Sequence, residues 1–430
     1  MLPEGKEHLD LYKEVFEENC WKHPLYAEAS YYMLLAQMPN IKKNLITYTS
    51  HYIDLRIHLC YLAPSGTGKG AGARFISQVA KDIGLKFQAV SEITDAGLVG
   101  RIVKDRIYNP VTKTTSMANM IERGFLDPAT GINILFSGEA ETLLRSPSPY
   151  TTQVLNLLQI AMNPMGSEDN RIVKKLAVDY PIDIQPTCSI FLTSYPPPML
   201  WQILTERGLL QRMLFIPIQF TPEEIKEITM LAMSKIDLTG TDTSIKEKYN
   251  MLISGFKEIN DFYETNLTPH IRDDAVKNKL KELVAVFYER VFNTIPMVRT
   301  QLEKFVQRYM EYLIKLSFLH AFSRKSASVE MIDLETAYIF IQKIWVSIIS
   351  FFEFSYKKSQ DEVFAETRWK SLLYTIFPRT DIGLVENDII RKIVSSLQVS
   401  VEASTRIMSY WKERNWIYKK EDFYYRNQDI

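Results

Sequence analysis

Cysteine, net charge and long apolar runs are all scarce in this chain, and each shortage excludes a class of protein. Cysteine occurs three times in 430 residues, at Cys20, Cys60 and Cys188. The three lie too far apart for a disulfide framework or a zinc site, so they read as free thiols in a reducing, cytoplasmic compartment. Net charge is nil, because 51 Lys and Arg balance 51 Asp and Glu. No global field draws a polyanion to the surface, so any nucleic-acid binding must rest on local basic clusters. No apolar run reads as long enough to span a bilayer, and the N-terminal MLPEGKEHLDLYKE is charged where a secretory signal would be apolar. No membrane partner is expected. Internal repeats and low-complexity tracts are missing too, which leaves an ordinary globular chain of two or three domains.

The apolar pattern divides the chain. Residues 1–50 read as a helical segment, with Leu11, Val15 and Phe16, and later Tyr31, Leu34 and Leu35, at helical spacing. Residues 51–221 alternate short apolar runs with helical stretches, the signature of a parallel α/β sheet with crossover helices. The expected strands are 57–62, 87–90, 132–136, 189–192 and 213–218. Residues 222–360 read as all-helical. One long helix carries Leu302, Phe305, Val306, Tyr309, Leu313 and Leu316 on one face. A second, 334–354, is nearly apolar throughout and reads as buried. Residues 361–430 read as three helices and a terminal β-hairpin around Lys419-Lys420-Glu421-Asp422, a winged-helix layout.

The chemistry centres on LAPSGTGKGAG, residues 62–72. It follows the apolar strand IHLCYL and precedes an amphipathic helix with Phe75, Ile76, Val79 and Ile83 on one side, the context a phosphate-binding loop requires. Pro64, Ser65, Gly66, Thr67, Gly68, Lys69, Gly70 and Ala71 are the candidate nucleotide contacts. Gly66 and Gly68 let backbone amides turn toward phosphate oxygens, and the helix N-terminus adds positive potential. Lys69 is placed to reach the outer phosphates. Two letters depart from the usual pattern: Ala63 replaces a glycine, and Gly70 stands where a Ser or Thr would hold Mg²⁺. A Gly-rich turn before a helix is the competing reading.

Three further stretches follow in order. INILFSGEAE, from Ile132, is a strand ending in an acid, with Glu139 the candidate base that polarises an attacking water. Gly138 stands where a second metal-binding acid would be. CSIFLTS, from Cys188, is a strand ending in hydroxyls. Thr193 and Ser194 are equal candidates to orient that water, and a plain strand end fits as well. RGLLQRM places Arg212 just before the last strand, where it could act across a subunit interface on the transferring phosphoryl group. Arg299, on the long lid helix, is a further candidate for the phosphates, or a solvated helical arginine.

This order of motifs resembles the AAA+ ATPases over roughly residues 55–350, and within them the MCM-like and the phage and mobile-element replicative helicases. SGEAETLL and TSYPPPMLWQIL…RGLLQRML carry the closer likeness to the second group. The resemblance implies ATP and Mg²⁺, a homo-oligomeric ring, usually a hexamer, and DNA in its channel. It makes Arg171, Lys174 and Lys175 a channel hairpin gripping phosphates without reading sequence, with Arg101, Lys104 and Arg106 a second such element. A basic ribbon with no ligand fits the same residues. In the winged helix, Arg406, Lys419 and Lys420 are the DNA candidates. From Glu366 onward eleven Lys and Arg face nine Asp and Glu, a balance that also suits protein docking. The function expected is an ATP-dependent DNA helicase or translocase in replication of a virus, phage or mobile element. The alternatives are an initiator or helicase-loading ATPase, and a degenerate ATPase serving as a structural subunit.

Overall fold

The computed structural model describes residues 7–20, 23–48, 51–90, 93–109, 114–138, 140, 149–175, 181–195, 208–234, 243–294, 296–397 and 400–427. The chain opens with helices α1 (His8–Cys20), α2 (Pro24–Ala36) and α3 (Pro39–Lys42) and the antiparallel pair β1 (Leu45–Tyr48) and β2 (His51–Asp54). The α/β region follows: β3 (Leu59–Leu62), α4 (Lys69–Asp82), β4 (Phe87–Val90), α5 (Asp95–Val99), the ribbon β5 (Gly100–Asn109) and β6 (Thr114–Arg123), then β7 (Ile134–Ser137). A second, shorter ribbon, β8 (Ile172–Lys175) and β9 (Pro181–Ile184), precedes β10 (Ser189–Ser194) and β11 (Leu214–Pro217). Helices Pro222–Ser234, Thr243–Thr265, Asp274–Phe292, Pro296–Ser323 and Met331–Ile376 come next. Glu386–Leu397, Val401–Glu413 and the hairpin β12 (Ile417–Lys420) and β13 (Phe423–Arg426) end the described chain.

Five strands form one wholly parallel sheet in the order β11-β3-β10-β7-β4. Strands β3, β10 and β11 are buried at every position, as expected when helices cover both faces of a parallel sheet. That double burial explains why they read as unbroken apolar runs. Alternation along the strands sends Tyr61 and Phe191 to one face, where Tyr26 of α2 lies within 4.1 Å and 6.0 Å of their ring centres. Phe215 points to the other face, against Phe305 and Phe351. The free edge of β11 is closed by Tyr309, whose hydroxyl sits 3.1 Å from both the Phe215 N–H and its carbonyl. An unpaired edge of this kind would otherwise offer a template for another strand.

A buried polar hub fixes the entry to β3. Arg56 Nη2 donates to Asp54 Oδ2 at 2.9 Å, and its Nη1 donates to the carbonyls of Ala161 and Pro186 at 3.1 Å and 3.0 Å. Met165 N–H donates to the same Asp54 oxygen. This ties β2 to the end of helix Pro149–Ala161 and to the segment ahead of β10. Although burial opposes its charge, the Arg56 and Lys315 cations and these hydrogen bonds hold the Asp54 carboxyl well below the usual range.

The chain forms two compact units, Met1–Phe352 and Glu353–Ile430, each with its own apolar core. The first contains the N-terminal helices, the sheet and the helices to 352, so the divisions expected at 50 and 221 fall inside one core. In the second, Ile389, Ile393, Met408, Trp411, Trp416 and Tyr424 pack together, and Leu384 pairs with Tyr424 in an isolated bridge. The reading of apolar runs needs one correction. Among the described residues, Met331–Phe352 is a helix long and apolar enough to cross a membrane by length and composition. Leu334, Phe340, Ile344, Ile348 and Phe352 on it belong to the first unit's core, and core helices pass the same test. All three cysteines are buried and none forms a disulfide.

Candidate phosphate-binding site

The loop leaves β3 at Leu62 and re-enters helical structure at Lys69. Gly66 and Gly68 adopt φ of +79° and +84°, in the left-handed region where a side chain is strained. A Cβ at Gly66 would meet nothing within 4 Å, so that glycine serves backbone geometry. Gly68 caps α4 with no side-chain bond, which leaves the first-turn amides without a side-chain acceptor. Lys69, the first helical residue, donates from Nζ to the carbonyls of Ala63 and Pro64. This pins its ammonium inside the loop, and half-burial pulls its pKa down to about 8.

The loop borders a cavity of ≈ 540 Å³ lined by residues 65–71, Arg74, Ile228 and Thr229. That volume lies within the range of small-molecule sites. All of the expected loop contacts except Pro64 line it. Arg74 and the pair Ile228 and Thr229, from helix Pro222–Ser234, were not legible in the sequence. Arg74 sits one helical turn beyond Gly70, and the helix after the sheet carries no local motif.

The N-terminal segment builds the wall behind this loop. His23 Nε2 donates to the Thr67 carbonyl at 2.5 Å, and its Nδ1 accepts from the Tyr61 hydroxyl at 2.6 Å. These partners assign the Nε2–H tautomer. Burial lowers the His23 pKa, and the Lys69 charge acts the same way. The two glycines that follow Lys69 differ sharply. A Cβ at Gly72 would lie 2.4 Å from Tyr26 Cε1 and 3.2 Å from Phe16 Cζ, whereas one at Gly70 would meet only Arg74 Nη1, at 3.9 Å. Gly72 thus exists for close packing of α4 on α1 and α2.

The ends of β3, β7 and β10 are knitted together. Ala63 N–H donates to Ser194 O at 3.1 Å, and Ala140 N–H to Thr193 O at 3.3 Å. The Thr193 hydroxyl donates to Gly138 O at 3.3 Å, beside position 139, while Ser194 Oγ is buried with no partner among the described residues. Glu139 itself lies outside the described residues.

The other expected residues fall elsewhere. Arg212 ends a short 3₁₀ turn, donates from Nη1 to Gly208 O at 3.0 Å and keeps its Nε buried without a partner among the described residues. Arg299 does not join the described cavity lining. Its Nη2 donates to Phe292 O and its guanidinium lies over the Phe292 ring, so it caps the helix Asp274–Phe292. Arg171 is tied to Asp183 by two hydrogen bonds of 2.9 Å and 2.6 Å, and Lys174 to Asp95 at 2.5 Å. These two basic residues of the ribbon therefore carry acidic partners. The Lys175 side chain and residues 176–180 lie outside the described residues. Arg101 is paired with Glu122 on the longer ribbon. In the second unit Arg406 bonds Glu402 one turn away, while Lys419 and Lys420 are exposed on β12.

The residues present fit a triphosphate: open left-handed glycines, a helix N-terminus, a pinned lysine and a cavity of suitable size. They do not fit a loop-held Mg²⁺. Gly70 and Gly138 offer neither hydroxyl nor carboxylate, and among the described residues no cluster of three His, Cys, Asp or Glu could hold a metal ion. The chain matches no protein-family model and no curated protein sequence.

Proposed function

We propose that the chain is a P-loop ATPase of the AAA+ kind that works on DNA as a ring-forming helicase or translocase. The observation that carries this reading is the sheet order. The hydroxyl-ended strand β10 lies between the loop strand β3 and strand β7, so the loop, the hydroxyl and, by sequence, the candidate acid at 139 follow three adjacent strands. Open α/β sheets bind ligands at the carboxyl ends of their strands. Lys69 and the loop amides hold the phosphates, Glu139 activates water, and Thr193 orients it. Arg212 completes the charge from a neighbouring subunit in a ring, most simply a hexamer. Two inserted ribbons, β5–β6 and β8–β9, supply the basic elements for a nucleic-acid strand. The second unit, three helical stretches and a hairpin, has the layout of a winged helix.

The test is unwinding of a forked duplex with ATP and Mg²⁺, beside Glu139→Gln and Lys69→Ala. The reading requires DNA-stimulated hydrolysis and unwinding that both variants abolish. A second reading, an initiator or loading ATPase in which nucleotide governs assembly, draws on Gly70, Gly138 and the paired state of Arg171 and Lys174. It requires nucleotide-dependent assembly with slow turnover and no unwinding.

A further inference from the structure

The mismatch between this loop and a loop-held metal has a counterpart one helical turn away. In a P-loop the residue after the lysine contributes a hydroxyl to Mg²⁺, and here that residue is Gly70. The space where its side chain would begin is open on every side but one, and there Arg74 Nη1 stands 3.9 Å from the Cβ position. Arg74 lines the same cavity as Lys69. It has no ion pair or hydrogen bond among the described residues, although most arginines of this chain that are described do, Arg56, Arg101, Arg171, Arg324 and Arg406 included. Its reach follows from helical geometry, since residues four apart on a helix are neighbours.

We propose that Arg74 supplies the positive charge that a loop-bound divalent cation would supply, so that this site holds a triphosphate without a protein-bound metal. The inference rests on the nucleotide reading given above and concerns binding. A guanidinium is suited to the task. It is planar and permanently charged, and its paired N–H groups match two oxygens of a phosphate. Lys69 provides a point charge from within the loop, and Arg74 a fork from the first turns of α4. Gly70 keeps the space between them clear. A Ser or Thr there would stand between the fork and the phosphates.

The test is titration of mant-ATP fluorescence in excess EDTA and in excess Mg²⁺. The full chain is used as wild type, Arg74→Gln, Arg74→Lys, Gly70→Ser and Lys69→Ala, with thermal melts checking that each variant folds. Wild type should bind with a Kd that differs by less than about threefold between the two conditions. Arg74→Gln should lose about tenfold to a hundredfold in EDTA, as expected for a lost charge-assisted bond, and recover part of it with Mg²⁺. Arg74→Lys should fall between. Gly70→Ser should bind more tightly with Mg²⁺ than without. The proposal is overturned if wild type binds only with Mg²⁺, or if Arg74→Gln titrates like wild type in EDTA. Failure of the nucleotide reading looks different: wild type and Lys69→Ala would show no binding under either condition, and this inference would fall with it.

Discussion

Gly70→Ala and Gly72→Ala, two positions apart on one helix, should change stability in opposite directions. Both glycines have negative φ, since neither is among the positive-φ glycines, so the backbone accepts alanine at each. At Gly70 the new methyl meets only the tip of Arg74, at 3.9 Å. Replacing glycine by alanine in a helix then stabilises by about 0.5–1 kcal/mol. At Gly72 the methyl would sit 2.4 Å from Tyr26 Cε1 and 3.2 Å from Phe16 Cζ. Tyr26 has no direction in which to withdraw. Its ring is stacked on Tyr61 at 4.1 Å, with an interplanar angle of 11°, and meets Phe16 edge-on at 5.4 Å. Overpacking of this kind costs about 1–3 kcal/mol. Subtracting the helix gain leaves a net loss centred on about 1 kcal/mol and reaching about 2.5 kcal/mol. The helix gain is common to both variants, so they should differ by the overpacking cost alone, about 1–3 kcal/mol. Urea unfolding followed by circular dichroism reads this as midpoints displaced to opposite sides of wild type at equal slope. Equal midpoints, or a Gly72→Ala protein more stable than Gly70→Ala, would refute the assignment of Gly72 to helix packing.

Further outcomes follow from the same geometry. Burial brings the Lys69 pKa to about 8; under the proposed function it binds phosphate as the cation, so mant-ATP affinity should be flat at lower pH. Above about pH 8 it should fall toward tenfold per unit, since the free protein must then take up a proton to bind; a titration flat to about pH 9.5 would contradict this. His23→Ala removes the donor to Thr67 and the acceptor from Tyr61, and should raise the mant-ATP Kd by roughly tenfold, the equivalent of one to two neutral hydrogen bonds. Asp54→Asn leaves Arg56 buried without its counter-charge and should cost about 3–5 kcal/mol in urea unfolding. The sign with pH is fixed as well. Asp54 is held below its ordinary pKa, so its contribution is complete above about pH 4 and is lost as pH falls toward the folded value. The Asp54→Asn variant should lose less stability than wild type on acidification.

Much of the sheet was legible because parallel strands covered on both faces read as near-continuous apolar runs. The runs around Leu59, Phe87, Ile134, Ser189 and Leu214 therefore stand out, and all five form strands. The turn of the loop was legible because left-handed backbone at fixed offsets needs glycine, and Gly66 and Gly68 adopt it. What stayed hidden depends on distant partners. His23 looks like any histidine until the fold sets it beside Thr67, forty-four positions on. Gly72 is indistinguishable from Gly70 on spacing. Arg299 sits at a plausible lid position, yet its guanidinium turns back to a helix end. Arg171 and Lys174 read as a basic ribbon because their neutralising acids, Asp183 and Asp95, lie on other elements. Glu139 lies outside the described residues, so its part in the site stands on sequence alone.

The burial of α2 carries a consequence for how the chain is made. Eleven consecutive residues, Tyr26–Ala36, are buried on all sides of that helix. Their cover comes from far downstream: Tyr31 bonds Ser323 across 292 positions, and Gln37 bonds Ser189 across 152. A ribosome releases this oily rod long before it has synthesised anything to enclose it. Closing loops of that span is slow, and apolar surface left waiting invites association with other chains. Biogenesis of the first unit is thus a race between completion of residue 323 and capture of α2 by something else, in which a chaperone that shields Tyr26–Ala36 would raise the yield.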